Sequence, residues 1–159
     1  GVNSIFGRKI ISETDLLSVL KSLRGSNQVV MSNGCFDILQ PGHVANLEQC
    51  KALGDILIIA INNDASVQRL KGMQRPINPL NQRMQVLAGL SSVDYLVAFS
   101  EDTPERIRGE ILPDILAKGA DYRIEEIAGA DAVLKNGGRI ETIDLLEGYS
   151  STNIIVRIR

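Results

Sequence analysis

The only histidine of the chain, His43, lies in a segment whose residue types suit phosphate binding. It ends the quartet Gln40-Pro41-Gly42-His43. Proline fits the first turn of a helix because it has no N–H to leave unpaired, and Gly42 lets backbone N–H groups approach a ligand closely. The amino end of such a helix offers free donors and a partial positive charge to an anion. The alternative is a capped helix with an incidental histidine, since short motifs often match by chance.

Two further segments carry groups that suit phosphate oxygens. Ser150, Ser151 and Thr152 precede a predicted helix, where their hydroxyls serve either as helix caps or as phosphate ligands. Lys71 and Arg75 lie in a stretch with two prolines and a glycine, which predicts a shaped functional loop rather than a linker. The alternative for these two cations is simple solvation.

Composition and missing motifs exclude several classes of protein. The net charge of -2 argues against a nucleic-acid partner, and the longest apolar run, 56–61, is too short to span a membrane. The chain contains neither a P-loop nor a dinucleotide fingerprint. Cys35 and Cys50 form no CxxC pair, so we expect reduced thiols and no zinc site. The first residues lack the layout of a secretion signal, so a cytoplasmic location is expected.

Apolar runs alternate with helical patterns along the chain. Strands are predicted at 28–32, 55–61, 94–99, 115–118 and 139–143. Helices are predicted at 14–23, 44–53, 80–90, 104–111, 125–136 and 151–158. This alternation predicts an α/β fold, a single-domain, doubly wound (Rossmann-like) parallel sheet of about five strands. Residues 1–26 are predicted as a helical lead-in, and 27–159 as the domain that carries the function.

The carboxyl ends of the predicted strands are the places to look for a site, because open parallel sheets bind ligands there. Polar or glycine residues follow four of the strands, at 33–37, 62–64, 118–122 and 148–152. Turn chemistry alone explains part of this pattern. The strand ends therefore indicate where a site would lie but not which ligand it binds.

Residues 33–43 (NGCFDILQPGH) resemble the G-x-F-D-x-x-H-x-G-H signature of the cytidylyltransferase-like nucleotidyltransferases. Matching segments follow in order as far as residue 155, among them RLKG at 69–72 and KGADY at 118–122. Nearly the whole chain resembles the adenylyltransferase domain of bacterial ADP-heptose synthesis. That class transfers AMP from ATP to D-glycero-β-D-manno-heptose 1-phosphate, giving ADP-heptose and pyrophosphate for the lipopolysaccharide inner core.

The resemblance implies roles for individual residues. The residues implied to act in catalysis are His43, Gln40 and Lys71. Those implied to bind the nucleotide are Asn33, Gly34, Cys35, Phe36, Gly42, Gly119, Asp121, Tyr122, Ser150, Ser151 and Thr152. Those assigned to the sugar phosphate are Asp64, Arg75 and Arg83. A Mg²⁺ ion would arrive with ATP, and no metal site made by the protein itself is predicted.

The resemblance also implies partners beyond the two substrates. A sugar-kinase domain is expected on the same polypeptide or on a separate chain, and many members of the family are homodimers. No nucleic-acid or membrane partner is expected.

Gln40 departs from the signature, which has histidine at this position. Glutamine can donate a hydrogen bond but cannot be cationic, so we expect weakened turnover. A sugar phosphate is already ionised and needs no general base, so the protein would act by positioning and electrostatic stabilisation. Two alternatives remain at this point: a CTP-dependent cytidylyltransferase of a polyol phosphate or phosphonate, and a catalytically silent nucleotide-binding module.

Overall fold

The computed structural model describes residues 6–119 and 127–144. Within them all five predicted strands are present: β1 (Val29–Gly34), β2 (Ile56–Asn62), β3 (Tyr95–Phe99), β4 (Ile115–Gly119) and β5 (Arg139–Ile143). Every pairing is parallel, and the spatial order is β3-β2-β1-β4-β5. The predicted doubly wound α/β sheet is confirmed.

The described residues also form a 3-10 turn, η1 (Phe6–Lys9), and six helices. The helices are α1 (Glu13–Leu23), α2 (Pro41–Ala52), α3 (Asp64–Lys71), α4 (Leu80–Ala88), α5 (Glu105–Ile111) and α6 (Ala130–Lys135). Helix α3 was not predicted, although Asn63 caps it by accepting the Ser66 N–H at 2.9 Å. Helix α6 begins at Ala130 rather than at residue 125, after Gly129 with φ 83°. The predicted helix at 151–158 lies outside the described residues.

Two sets of helices cover the two faces of the sheet. Buried side chains on one face come from α1, α5 and α6, namely Leu16, Leu20, Ile107, Ile111 and Val133. Those on the other face come from α2 and α4, namely Leu47, Cys50, Met84, Leu87 and Ala88. Strand β2 is buried at every position, as expected for a parallel strand covered on both sides. Helix α1, which lies in the predicted lead-in 1–26, packs into this same core. Among the described residues, no helix combines the length and apolarity needed to cross a membrane.

Three aspartates, which we call the amino-end aspartates, precede strands at the amino end of the sheet: Asp55, Asp94 and Asp114. The Oδ2 atom of each accepts a backbone N–H at the start of an adjacent strand, at 2.7 to 2.8 Å. These carboxylates satisfy donors that the sheet leaves unpaired at its end. They therefore belong to the framework that positions the opposite end of the sheet.

Candidate active site

The sheet opens between β1 and β4, where the strand order reverses. These two strands pair only at Val30 with Ile115 and at Met31 with Leu116. By contrast, β1 pairs with β2 over its whole length, as far as Gly34. The carboxyl ends of β1 and β4 thus separate at the topological switch point, where doubly wound sheets bind their ligands. Asn33 and Gly34 end one side of this crevice, and Gly119 ends the other.

The turn after β1 is shaped by Gly34 and Phe36. A Cβ atom on Gly34 would lie 2.8 Å from the Phe36 ring, so the ring rests directly on the backbone. Phe36 has φ 51°, in the left-handed region that side chains other than glycine rarely adopt. The same ring meets the His43 imidazole edge-on, with ring centroids 5.7 Å apart and an interplanar angle of 63°. The turn therefore forms a wall against which the imidazole packs.

His43 lies in the first turn of α2, with Gln40 as the N-cap. The backbone N–H of Gln40 donates to Nδ1 of His43 at 2.9 Å. Because Nδ1 accepts this bond, the neutral imidazole carries its proton on Nε2. Burial, and then the charge of Lys71, lower the pKa of His43, which favours this neutral form. His43 therefore has one fixed Nε2–H donor available for a ligand. The Gln40 side chain donates a long 3.3 Å bond to the Leu39 carbonyl.

Lys71 ends helix α3, so the prediction that it belongs to a loop is wrong in this detail. The loop begins one residue later, at Gly72, whose φ of 110° terminates the helix. The positive charge of Lys71 lowers the pKa values of both His43 and Cys35, so it lies within electrostatic range of the turn after β1. Burial raises the pKa of the Cys35 thiol even against this charge, so the thiol is protonated at neutral pH. Cys35 is thus not an activated nucleophile.

Asp37 anchors the segment 72–79, a task that the sequence analysis did not assign to it. Its buried carboxylate accepts from Arg75 Nε at 2.8 Å and from the backbone N–H groups of Ile77 and Asn78 at 2.9 and 2.8 Å. Burial raises the pKa of Asp37, but the bonds from Asn78, Ile77 and Arg75 outweigh it and lower the pKa overall. The carboxylate is therefore ionised at neutral pH and fully engaged. Its place in the G-x-F-D signature was the available signal.

Arg83 and Asp64, both assigned to the sugar phosphate, bind each other, with Nη2 and Oδ1 2.7 Å apart. The Arg83 side chain is completely buried and also donates to the carbonyls of Cys35, Asn62 and Asn78 at 2.7, 2.8 and 2.9 Å. These bonds brace the carboxyl ends of β1 and β2. Arg83 therefore supports the backbone of the site, and its assignment to the sugar phosphate stays a prediction.

Arg75 retains a donor that suits a ligand. Its Nε binds Asp37, but its Nη2 atom is buried and has no hydrogen-bond partner among the described residues. Buried polar groups are nearly always paired, and a guanidinium N–H binds phosphate oxygens strongly. Arg75 thus remains the sugar-phosphate candidate that the geometry favours.

Arg108 reaches the end of β1 from the opposite face of the sheet and was missed by the sequence analysis. Its Nη2 donates to Oδ1 of Asn33 at 2.5 Å, and its Nη1 donates to the carbonyl of Ala128 at 2.7 Å. The sequence offered one indication of its burial: Arg108 directly follows Ile107 on a helix whose Ile107 and Ile111 face the core.

Ten of the predicted site residues lie around the crevice and the start of α2. They are Asn33, Gly34, Cys35, Phe36, Gln40, Gly42, His43, Lys71, Arg75 and Gly119. Asp121, Tyr122, Ser150, Ser151 and Thr152 lie outside the described residues, and their assignments stay predictions. Because this arrangement has cations, N–H donors and a protonated thiol, it can bind and stabilise phosphate groups without a covalent intermediate.

A doubly wound sheet that opens at its switch point, beside a histidine in the first turn of a helix, defines a Rossmann-like phosphate- or nucleotide-binding enzyme. Residues 31–157 match the cytidylyltransferase-like family model, and the chain belongs to that family. This family membership confirms the predicted class of protein, a nucleotidyltransferase.

Bacterial relatives match nearly the whole chain. The chain is 55% identical over 154 residues to the bifunctional protein HldE of Alkalilimnicola ehrlichii, covering 96% of this chain and 32% of the relative. It is 54% identical to the bifunctional protein HldE of Actinobacillus succinogenes, covering 99% of this chain and 34% of the relative. The chain therefore spans about a third of the length of these relatives.

Two solved structures share the fold. The crystal structure of the lipopolysaccharide core biosynthesis protein from Thermoplasma volcanium has a TM-score of 0.62 and 27% identity, covering 76% of this chain and 98% of that one. A pantoate–β-alanine ligase from Francisella tularensis has the same TM-score of 0.62 at 16% identity, covering 93% of this chain and 76% of that one. The second likeness concerns the fold alone.

Proposed function

We propose that the chain transfers AMP from ATP to D-glycero-β-D-manno-heptose 1-phosphate, releasing pyrophosphate and ADP-heptose. The observation that carries this proposal is the fixed Nε2–H donor of His43 beside Lys71 and Arg75 at the open switch point. The identity of 55% to a bifunctional HldE supports the heptose assignment. The name of the Thermoplasma volcanium structure supports a role in lipopolysaccharide synthesis.

In the proposed reaction a phosphate oxygen of the sugar phosphate attacks the α-phosphorus of ATP. A new P–O bond forms, the bond to the β-phosphate oxygen breaks, and pyrophosphate leaves with the electron pair. No proton has to be removed from the ionised nucleophile, so His43 serves as a neutral donor rather than as a base. Lys71 and Arg75 stabilise negative charge that builds up on the phosphates.

A Mg²⁺ ion is proposed as the companion of ATP, where it would neutralise phosphate charge and orient the leaving pyrophosphate. Within residues 6–119 and 127–144 no group of three or more His, Cys, Asp or Glu side chains is arranged to hold a metal ion. At nucleotide sites Mg²⁺ is commonly held by substrate phosphates, water and one or two carboxylates.

The proposed partners are a sugar-kinase domain and a second copy of the chain. The name "bifunctional protein" of the relatives, and the third of their length that this chain spans, support a second activity on the same polypeptide. The homodimer rests on the resemblance. Light scattering at micromolar concentration would test it, and a monomer mass would reject it.

Nucleotide choice and chemistry are tested together by calorimetry and a pyrophosphate-release assay. With Mg²⁺ present, we expect tighter binding of ATP than of CTP, and pyrophosphate release only when heptose 1-phosphate is added. Tighter CTP binding would support the cytidylyltransferase alternative. Nucleotide binding without turnover on any sugar or polyol phosphate would support the silent module.

A further inference from the structure

Arg108 is a buried cation inside a face that is otherwise apolar. It is 2% exposed, and Ile107 and Ile111 on the same helix are 1% and 0% exposed. Burying a guanidinium is costly unless its N–H groups find acceptors. Two of these acceptors are Oδ1 of Asn33 and the carbonyl oxygen of Ala128. The Arg108 side chain therefore links α5 to the end of β1 and to the segment 127–129.

This link lies where the sheet opens. Asn33 is two residues beyond Met31, the last β1 residue that pairs with β4. On the other side, Gly129 packs so closely that an added Cβ would lie 3.2 Å from the Cβ of Arg108 and 3.2 Å from the carbonyl oxygen of Glu105. The segment 127–129 is thus pressed against α5, and Arg108 spans the gap between it and Asn33.

The bond to Arg108 fixes the orientation of the Asn33 amide, which lies at the end of β1 beside the crevice. A flipped amide would turn its NH₂ group toward the guanidinium and lose a charge-assisted hydrogen bond. Nδ2 of Asn33 has no hydrogen bond among the described residues, and it is not one of their buried unpartnered atoms. Nδ2 therefore remains a donor of fixed orientation at the end of β1.

We propose that Arg108 is a positioning residue of the nucleotide site, which acts by holding the Asn33 amide so that its Nδ2–H group donates to an acceptor oxygen of the bound nucleotide. This inference rests on the proposed function. Without Arg108, the amide can flip and rotate, and the nucleotide loses an oriented donor. The loss should appear as weaker nucleotide binding more than as slower chemistry.

A double-mutant cycle tests whether Arg108 acts through Asn33. The proteins are the wild type, Arg108→Met, Asn33→Ala and the double variant. Arg106→Met is the matched control, since Arg106 lies on the same helix but is exposed and pairs with Glu13 and Glu101. The measurements are ATP affinity by calorimetry, KM for ATP and kcat, with folding checked by circular dichroism.

We expect each single variant to raise the KM for ATP by about threefold to tenfold, the effect of one lost hydrogen bond. The double variant should be no worse than Asn33→Ala alone, because the Arg108 effect requires the amide. Arg106→Met should leave the KM for ATP at the wild-type value. A general structural effect of Arg108 would instead multiply with that of Asn33→Ala, and this result would overturn the proposal.

Two further results keep the test decisive. If Arg108→Met does not fold, an unchanged KM for ATP in Asn33→Ala still overturns the proposal, because Arg108 then has no donor to position. The Asn33 side-chain amide signal in ¹⁵N NMR should shift in Arg108→Lys but not in Arg106→Met, and this readout needs no activity. If the wild type neither binds nucleotide nor turns over, the proposed function itself is refuted. If the wild type is active but the effects of Arg108→Met and Asn33→Ala are independent, only the role of Arg108 is refuted.

Discussion

At the amino ends of the strands three carboxylates bind backbone N–H groups. At the carboxyl ends, around the turn after β1, four cations face two carboxylates. The three amino-end aspartates each accept a backbone N–H of an adjacent strand. At the carboxyl end the cations are Lys71, Arg75, Arg83 and Arg108, and the two carboxylates bound to them are Asp37 and Asp64. The two ends thus differ in what these groups bind: carboxylates hold backbone donors at the amino end, and cations exceed the carboxylates that bind them at the carboxyl end.

We expect the charged groups at the amino end to serve mainly stability and those at the carboxyl end to serve mainly catalysis. The amino-end aspartates bind donors of the fold itself, so their substitution should lower stability with little effect on turnover. The cations at the carboxyl end include Lys71 and Arg75, whose Nη2 has no hydrogen-bond partner in the described part of the chain. Their substitution should lower turnover with little effect on stability, because a negatively charged substrate is their proposed partner. The following predictions test this separation.

Lys71→Ala should give the largest effect. Removing one preorganised charge from the reacting phosphates should lower kcat by about a hundredfold or more. The midpoint of thermal unfolding should change little, because Lys71 is exposed at the end of α3. Pyrophosphate release and thermal unfolding would be measured on the same samples. Lys51→Ala is the matched control, since Lys51 binds Asp94 at the other end of the sheet. A fall in stability with unchanged turnover per folded molecule would make Lys71 structural.

Asp94→Ala should act in the opposite way. Its carboxylate accepts the N–H of Leu57, a completely buried residue, at 2.7 Å. Leaving this donor unpaired should lower the free energy of unfolding by about 1–3 kcal/mol. Turnover per folded molecule should stay at the wild-type value. Urea unfolding and steady-state kinetics would measure the two quantities, and a loss of kcat larger than the loss of folded protein would break the separation of the two ends.

Gln40→His should raise kcat by about tenfold, because a cationic donor adds Coulombic attraction to the charged phosphate oxygens that a neutral amide lacks. Nucleotide affinity should change less, since charge is greatest in the transition state. The backbone N–H of residue 40, which holds His43, is retained in this variant. His43→Ala should nearly abolish turnover in both backgrounds. Unchanged kcat in Gln40→His, with His43→Ala still inactive, would show that position 40 does not stabilise charge.

The pKa of His43 should lie below the ordinary value of 6.5 in the folded protein. The unfolded chain then binds more protons than the folded one between 6.5 and the lower folded pKa. The free energy of unfolding should therefore be fully retained above pH 6.5 and should decrease as the pH falls through that interval. NMR titration gives the pKa directly, because His43 is the only imidazole. Urea unfolding gives the slope, which should vanish in His43→Ala; a slope that persists there would assign it to another group.

The sequence reveals the sheet well because its strands are buried apolar runs, which leave an unambiguous pattern. It conceals α3, which is short and largely polar and buries few side chains, among them Val67. For the site, the motif located the turn after β1 and the start of α2. It did not distinguish Arg75, whose Nη2 donor has no partner within residues 6–119 and 127–144, from Arg83, whose donors hold backbone carbonyls. Both are arginines near prolines, and only the packing decides which way each guanidinium faces.

The role of Arg108 was hidden for a related reason. An arginine within a helical pattern normally lies on the solvated face. Here a contact between residues 75 positions apart in the sequence gives it a buried partner, Asn33. No local pattern encodes such a pairing. The amino-end aspartates, in contrast, stand at the start of apolar runs, and that repetition was available in the sequence.

The Asp37 anchor has a consequence for how the substrates would bind. Ordering a flexible backbone costs about 1–2 kcal/mol per residue in conformational entropy, and a loop that orders only on binding subtracts that cost from affinity. Since Asp37 ties Arg75, Ile77 and Asn78 to the end of β1, this part of the segment 72–79 loses its freedom when the protein folds. Arg75 would then meet the phosphate already in place, and binding there should proceed without a slow loop-ordering phase in stopped-flow traces.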